Sequence, residues 1–420
     1  MKRVFLVLAL VFVSFLARPQ DTIKIMTYNL LYYNHYSQTW CTQTNNPIES
    51  KDGWLKTIID YTLPDIVAFN EVANNSTTKY RLKGSVLNTS GRTNYMEANN
   101  PYGAGGLTSF LFYDKNKFDL VEIYNIDTDA SRDFMVYRLR RKNTNPEINL
   151  YVIPAHMAAG SYSEDIAERA QMADSVINLI SSRGNNDNFI FLGDLNFYTH
   201  TESGFQKLVN NSNPEYRFYD PVNQLGAWNS NYSFRNYHTQ STHTDDDGCK
   251  ASGGLDDRFD IILVDDDILS GASRVKYVEN SYTTVGQDGN HYNSSLIDGA
   301  NTSVPANVLT ALYNMSDHLP VFAKFALGET SSSATYSLSN VKINYVNPVT
   351  DQLAVQIFAP AADNYEISLM TSTGVVLEQE TRWVANSDVF VFDVKMLQSG
   401  IYFLSIRNSE GRCTRKIVKL

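Results

Sequence analysis

Between residues 22 and 330 the chain alternates short apolar runs with stretches of helical period. Ile23–Tyr28, Asp65–Phe69, Leu107–Tyr113, Phe134–Leu139, Leu150–Pro154, Phe189–Leu192 and Phe259–Val264 are rich in β-branched and aromatic residues, which predicts strands. Trp54, Leu55, Ile58 and Ile59 share one helical face within 50–61. Ile166, Ala170, Ala173, Ile177 and Ile180 do the same within 164–180. Ser161 and Glu164 predict a capping box ahead of that second helix. Asn143–Asn145 before Pro146 predicts a hairpin-like turn. Strands and helices mixed in this way predict an α/β fold with much antiparallel pairing. Residues 327–340 include Ser331-Ser-Ser-Ala-Thr and read as a linker. Residues 341–420 carry only strand-like runs between turns: Leu353–Phe358, Tyr365–Met370, Val389–Phe392 and Ile401–Ile406. That pattern predicts a small β-sandwich.

The N-terminus departs from both patterns. Lys2 and Arg3 precede an apolar run from Val4 to Leu16, which Ala17-Arg-Pro-Gln20 ends. The run is shorter than the ~20 residues that span a bilayer, so residues 1–20 read as a signal peptide. No other segment is apolar for long enough to give a stable membrane span. The 420 residues, 43% hydrophobic and 19% charged, fit two or three folded domains. Cys41, Cys249 and Cys413 are too few for a disulfide scaffold. Cys41 and Cys249 either pair in an oxidising compartment or remain thiols. The net charge is −10, and residues 331–420 are balanced, so the excess acid belongs to the first part of the chain. Proteins that grip polyanions by counterion release are basic. Strong non-catalytic nucleic-acid binding is therefore disfavoured, whereas carboxylates that gather cations fit a metal enzyme.

Several predicted strands end in polar residues that the strands do not need. They are Asn29, Glu71, His156, the pair Asp194 and Asn196, Asp260, and the pair Asp317 and His318. Strand ends are rigid and can converge side chains on one site. The residue types suit phosphodiester hydrolysis. Carboxylates bind a hard cation such as Mg²⁺, which offsets phosphate charge. A histidine exchanges protons near neutral pH, and a carboxylate on its other ring nitrogen fixes its tautomer. Asn offers a donor to a phosphoryl oxygen without adding charge. Taken singly, an Asn or Asp after a strand is a turn residue, and a lone histidine is a satisfied core residue. The ordered set is what points to chemistry.

That set, Tyr28-Asn29, Glu71, His156, Gly193-Asp194-Leu195-Asn196, Asp260 and Ser316-Asp317-His318, resembles the endonuclease/exonuclease/phosphatase superfamily across 22–326. Deoxyribonuclease I, apurinic endonucleases, neutral sphingomyelinases and inositol polyphosphate phosphatases belong to it. The resemblance implies a four-layer α/β sandwich: two packed, mostly antiparallel sheets flanked by helices. It implies Glu71, Asn29 and Asp317 as metal ligands. Asp194 would position or activate the attacking water, and Asn196 would hold a phosphoryl oxygen. His318, oriented by Asp260, would be the base or phosphate-polarising group, and His156 would act from the other side. Arg132, in Ser131-Arg132-Asp133, stands where a deoxyribonuclease-like member has a phosphate-contacting arginine. The glutamate that orients the His156-type residue has no clear counterpart, and Glu97 and Asp114 are the candidates. Residues 220–258 resemble an insertion of exported bacterial members. Their Asp245-Asp246-Asp247-Gly248 lacks the spaced ligands of an EF-hand loop and reads as a solvated loop.

Residues 341–420 resemble a type IX secretion sorting domain through Tyr345-Val-Asn-Pro348, Thr371-Ser-Thr-Gly374, Leu397-Gln-Ser-Gly400-Ile-Tyr-Phe-Leu and the terminal Lys416-Ile-Val-Lys-Leu. This implies the type IX secretion machinery as partner and a place outside a Gram-negative cell, secreted or at its surface. The leading expectation is a secreted metal-dependent phosphodiesterase, a nuclease hydrolysing DNA or RNA with Mg²⁺, Mn²⁺ or Ca²⁺. A phospholipase C- or sphingomyelinase-like or phosphomonoesterase activity is the alternative, which the acidic charge favours. A non-catalytic surface binding protein is the third reading.

Overall fold

Successive side chains of a strand point to opposite faces, so the continuous apolar runs of the predicted strands require an apolar environment on either face. A computed structural model describes residues 21–37, 40–99, 106–183, 188–328, 341–359, 362–371, 375–408 and 412–420. In it the chain divides into two units, ending and starting at 328/329. The expected signal peptide at 1–20, residues 329–340 of the linker expected at 327–340 and Ser372-Thr-Gly374 lie outside the described residues, while Leu327 ends the last strand of the first unit.

The first unit begins with β1 (Asp21–Tyr33), α1 (Ile48–Thr62), β2 (Ile66–Ala73), α2 (Ser76–Arg81), β3 (Tyr95–Ala98) and β4 (Leu107–Asp114). There follow β5 (Phe118–Ile126), β6 (Phe134–Arg141), β7 (Asn149–His156), α3 (Ser163–Arg183), β8 (Phe189–Asp194) and α4 (Ser203–Val209). It closes with β9 (Phe218–Tyr219), β10 (Asp260–Asp265), α5 (Asp266–Ser270), β11 (Val275–Tyr277), β12 (Thr283–Thr284), α6 (Ala306–Met315) and β13 (Val321–Leu327). One sheet has the order β11-β13-β1-β2-β4-β3, with β12 also on β13, and the other β5-β6-β7-β8-β10-β9. The central pairs β1–β2 and β7–β8 are parallel, and the pairs around them are antiparallel.

Alternation then builds the layers. Ile23, Ile25 and Ala68 meet Leu139, Val152, Leu192 and Ile262 between the sheets. Met26, Tyr28 and Phe69 turn the other way, onto Leu55 and Ile58 of α1 and Leu312 of α6. Ile153, Phe191 and Ile261 turn outward onto Met172 and Val176 of α3 and Phe205 of α4. This is the expected four-layer sandwich. Each fully buried side chain of this size contributes roughly 1.5–3 kcal/mol.

Two details differ from expectation. The capping box of Ser161 and Glu164 does not form. The helix starts at Ser163, and Asp165 instead accepts the Tyr162 N–H at 3.0 Å. β5 was not expected, because it lies at a sheet edge with most of its residues half-exposed.

The second unit contains β14 (Lys342–Tyr345), β15 (Gln352–Phe358), β16 (Asp363–Thr371), β17 (Val376–Val384), β18 (Ser387–Asp393), β19 (Gly400–Arg407) and β20 (Arg412–Lys419). They form sheets β14-β15-β18 and β17-β16-β19-β20 around Leu353, Val355, Ile367, Phe390 and Leu404. Its described residues include no helix.

Candidate active site

Strand register brings the polar strand ends together. His156 on β7 and Asp260 on β10 are both partners of Asp194 on β8, one from each side. Asn29 on β1 is the partner of Asn70 on β2, next to Glu71. Gly193 permits the close approach of β7 and β8. It sits at φ +147°, and a Cβ there would lie 1.8 Å from the Ala155 carbonyl oxygen.

One ligand atom each from Glu71, His156 and Asp194 lies within 4.8 Å of the other two. His156 Nε2 is 3.8 Å from Glu71 Oε1 and 3.6 Å from Asp194 Oδ2. Asn29 Nδ2 donates to Glu71 Oε1 at 3.0 Å and to Asp194 Oδ2 at 2.9 Å. Its Oδ1 accepts from the Leu31 N–H at 2.9 Å, which fixes the amide's orientation. Asn29 therefore bridges the carboxylates with its N–H groups and does not present an oxygen as the expected ligand would. Glu71 Oε2 accepts from the Tyr32 N–H at 3.1 Å, and Glu71 itself sits at a left-handed φ of 55°.

Burial pushes the Glu71 carboxyl up, against the hydrogen bond from Asn29. Burial pushes Asp194 up to about 7, while the His318 charge pulls the other way. Burying two carboxylates side by side carries this cost, and a divalent ion held by both would offset it. The donor set thus fits a hard divalent cation, with oxygens from Glu71 and Asp194 and His156 alongside.

His318 Nδ1 is 2.7 Å from Asp260 Oδ2, and Asp260 is fully buried. Burial opposes the imidazolium, but the charges of Asp260 and Asp194 outweigh it and hold His318 well above its ordinary value. Burial, then the charges of Arg132 and His318, push His156 well below its own. Two imidazoles shifted in opposite directions therefore flank Asp194, the His318 Nε2 at 3.8 Å from Oδ2.

The remaining expected residues ring this centre. Asp317 stands outside the trio, its Oδ2 accepting from the Ala251 N–H at 2.9 Å and Gln240 Nε2 at 3.3 Å. Asn196 Nδ2 and Arg132 Nη1 both donate to the Met157 carbonyl, at 3.2 and 3.0 Å. Neither candidate partner of His156 reaches it. Glu97 pairs with Lys83 at 2.7 Å, and Asp114 accepts from the Asn116 N–H at 2.8 Å in the β4–β5 turn. The carboxylates that face His156 are Glu71 and Asp194.

Two contributors escaped the sequence reading. Asn70 is fully buried, donates to Ser109 Oγ at 2.7 Å and the Ala155 carbonyl at 2.9 Å, and accepts from the Asp194 N–H at 3.3 Å. A polar residue inside the apolar run Ile66–Ala73 was its signal. Gln240, 2.8 Å from His318 Nε2, lies in an irregular loop with no periodic signal. That loop belongs to the 220–258 insertion, which a Cys41–Cys249 disulfide ties to the residues after β1. Tyr32, His35 and Trp40 form an aromatic group there, with Tyr32 6.1 Å from His35 and 6.5 Å from Trp40 between ring centres.

No curated protein matches the chain. It is similar to solved structures at low identity. One is D. rerio TDP2 complexed with single strand DNA product, 15% identical over 73% of this chain and 99% of that chain, with a TM-score of 0.47. An endonuclease/exonuclease/phosphatase family protein from Bacteroides thetaiotaomicron is 17% identical over 74% of this chain and 100% of that one, at 0.46. A mannosyl-6-phosphatase from the same organism is 15% identical over 73% and 100%, at 0.44. Residues 344–420 match the family described as Secretion system C-terminal sorting domain.

Proposed function

We propose that the chain is an exported, divalent-metal-dependent phosphodiesterase, and specifically a nuclease. The observation that carries this is the buried grouping of Glu71, Asp194 and His156 beside the His318–Asp260 pair. A divalent cation held by Glu71 and Asp194 would neutralise phosphate charge and stabilise the leaving oxygen. The chain's own groups do the rest. His318, oriented by Asp260 through Nδ1, exchanges a proton with the reacting phosphoryl group at Nε2. Asp194 accepts a hydrogen bond from the attacking water and orients it. Neutral His156 faces the same space from the opposite side, and Arg132 supplies fixed positive charge for a neighbouring phosphate.

The aromatic group of Tyr32, His35 and Trp40, the last 54% exposed, supports a substrate with bases to stack. The net charge of −10 favours a second reading, a phosphomonoester or a phospholipid headgroup in place of a polynucleotide. The sorting-domain match supports export: a signal peptide at 1–20, a catalytic domain at 22–326, a linker at 327–340 and a sorting domain at 341–420 read by the type IX machinery. On this reading the protein works at the surface of a Gram-negative cell or beyond it.

The test is a substrate panel of single- and double-stranded DNA, RNA, sphingomyelin and a sugar phosphate, with Mg²⁺, Mn²⁺ or Ca²⁺ and an EDTA control. The expected result is fastest hydrolysis of nucleic acid, abolished by EDTA. Faster turnover of the monoester or sphingomyelin selects the second reading. No hydrolysis with any cation overturns both and leaves a binding role for the scaffold.

A further inference from the structure

Lys51 lies on the buried face of α1, among Ile48, Leu55, Ile58 and Ile59, and is 1% exposed. Lysine is almost never fully buried without partners, because its ammonium loses hydration. No carboxylate among the described residues lies within ion-pair distance of it. Its Nζ instead donates to the Leu30 carbonyl at 2.7 Å, the Leu31 carbonyl at 2.8 Å and Asn46 Oδ1 at 2.6 Å. All three ammonium protons are thereby used. Asn46 Nδ2 donates in turn to the Leu31 carbonyl at 3.0 Å and the Tyr32 carbonyl at 3.3 Å. Three successive carbonyls are held from one side.

The gripped segment is strained. Leu31 and Tyr32 are consecutive non-glycine residues at left-handed φ values of 45° and 47°. Each costs roughly 1–2 kcal/mol. Neither has the short polar side chain that makes this region tolerable for Asn or Asp. The strained turn has a result: it aims the Leu31 N–H at Asn29 Oδ1 and the Tyr32 N–H at Glu71 Oε2. The first sets the amide that bridges Glu71 and Asp194, and the second holds the other oxygen of Glu71. An apolar residue at 51 would take the Nζ donor from the Leu30 carbonyl and Asn46 Oδ1 and leave the Leu31 carbonyl to Asn46 alone, which explains a cation on an apolar helix face.

We infer that Lys51, with Asn46, is a positioning residue for the metal-binding carboxylates, acting through the strained turn at 30–32. The inference rests on the metal-dependent reading of the site. It concerns the geometry of Glu71 and Asn29, and neither Lys51 nor Asn46 needs to touch substrate.

The test measures Mn²⁺ binding by calorimetry on the full chain, with melting followed separately in EDTA. Lys51→Met keeps the stem and removes the donors, and Asn46→Ala loosens the same clamp without changing charge. Groups that support metal ligands typically contribute 10–100-fold in affinity, so both variants should bind Mn²⁺ roughly 10-fold or more weakly than the wild type. Each should retain a cooperative melt in EDTA. If Lys51→Met does not fold, Asn46→Ala decides the matter alone. Variants that melt lower yet bind Mn²⁺ within about twofold of the wild type assign the clamp to stability alone and overturn the inference. A wild-type chain that binds Mn²⁺ but hydrolyses no phosphoester overturns the proposed function, while the calorimetry still judges Lys51. A wild-type chain that does not bind Mn²⁺ overturns both.

Discussion

Asp260→Asn removes a charge from the site while keeping the size and shape of the side chain. Asp260 is fully buried, its Oδ2 lies 2.7 Å from His318 Nδ1, and its Oδ1 has no hydrogen-bond partner among the described residues. A charge-assisted hydrogen bond of this kind contributes about 1.5–3 kcal/mol. If that energy holds His318 charged and oriented when the phosphoryl group reacts, its loss lowers kcat by roughly 10- to 150-fold, since 1.36 kcal/mol is tenfold. KM should move little, because Asp260 lies behind His318 and away from Glu71 and His156. The sign of the pH effect follows from the same bond. Asp260 and Asp194 together raise His318, so without Asp260 its pKa falls. The alkaline limb of the rate profile, where a required imidazolium loses its proton, should move to lower pH. The assay is kcat and KM on a chromogenic phosphodiester across pH 5–9, with His318→Ala and the double variant alongside. A kcat within threefold of the wild type, or an unchanged alkaline limb, refutes the role given to Asp260. Effects of the two single variants that multiply in the double variant would show that the residues do not act as one unit.

Other parts of the molecule give further outcomes. Gly193→Ala would put a Cβ 1.8 Å from the Ala155 carbonyl at φ +147°, and should destabilise by at least about 3 kcal/mol; an unchanged thermal melt contradicts the close β7–β8 approach. Reducing Cys41–Cys249 opens a loop spanning 208 residues, up to about 5 kcal/mol in the chain-entropy relation, so the urea midpoint should fall in dithiothreitol; an unchanged midpoint argues against the pairing. Burial, then the charge of Lys250, lowers His243 to about 4, while an unfolded histidine titrates near 6.5. The unfolded chain therefore takes up the extra proton, and stability present above pH 6.5 is lost as pH falls toward 4, by about 3 kcal/mol at most. His243→Phe, which keeps the ring that stacks 4.0 Å from Tyr313, should flatten that slope in urea titrations; an identical slope excludes His243 as its source.

Much of the site was readable because its residues end apolar runs. Asn29, Glu71, His156 and Asp194 each follow an apolar run rich in β-branched and aromatic residues; His156 and Asp194 end β7 and β8, while β1 and β2 continue a few residues past Asn29 and Glu71. Period and residue type carry no information about which strands are neighbours. That Asp194 lies between His156 and Asp260 depends on pairing β8 with both β7 and β10, an order that only the structure supplies. The same gap explains the orienting partner of His156. Glu97 and Asp114 were judged by position along the chain, whereas the carboxylates it faces belong to β2 in the other sheet and to β8 beside it. The orientation of Asn29 is hidden for a more local reason. Residue type cannot tell which end of an amide faces the site, and a backbone N–H two residues away decides it. Exposed edges were equally opaque: β5 and β17 bury too few side chains for alternation to register. Lys51 shows the opposite case, in which a clear signal was present and unread. A lysine one turn from Ile48 and Leu55 breaks an otherwise apolar helix face. Such a break is tolerated where something opposite requires donors, and here that is a turn whose backbone holds the carboxylates. The informative positions in this chain are therefore those where the apolar pattern fails: at the ends of apolar runs for the reacting groups, and inside a helix face for the group that sets their geometry.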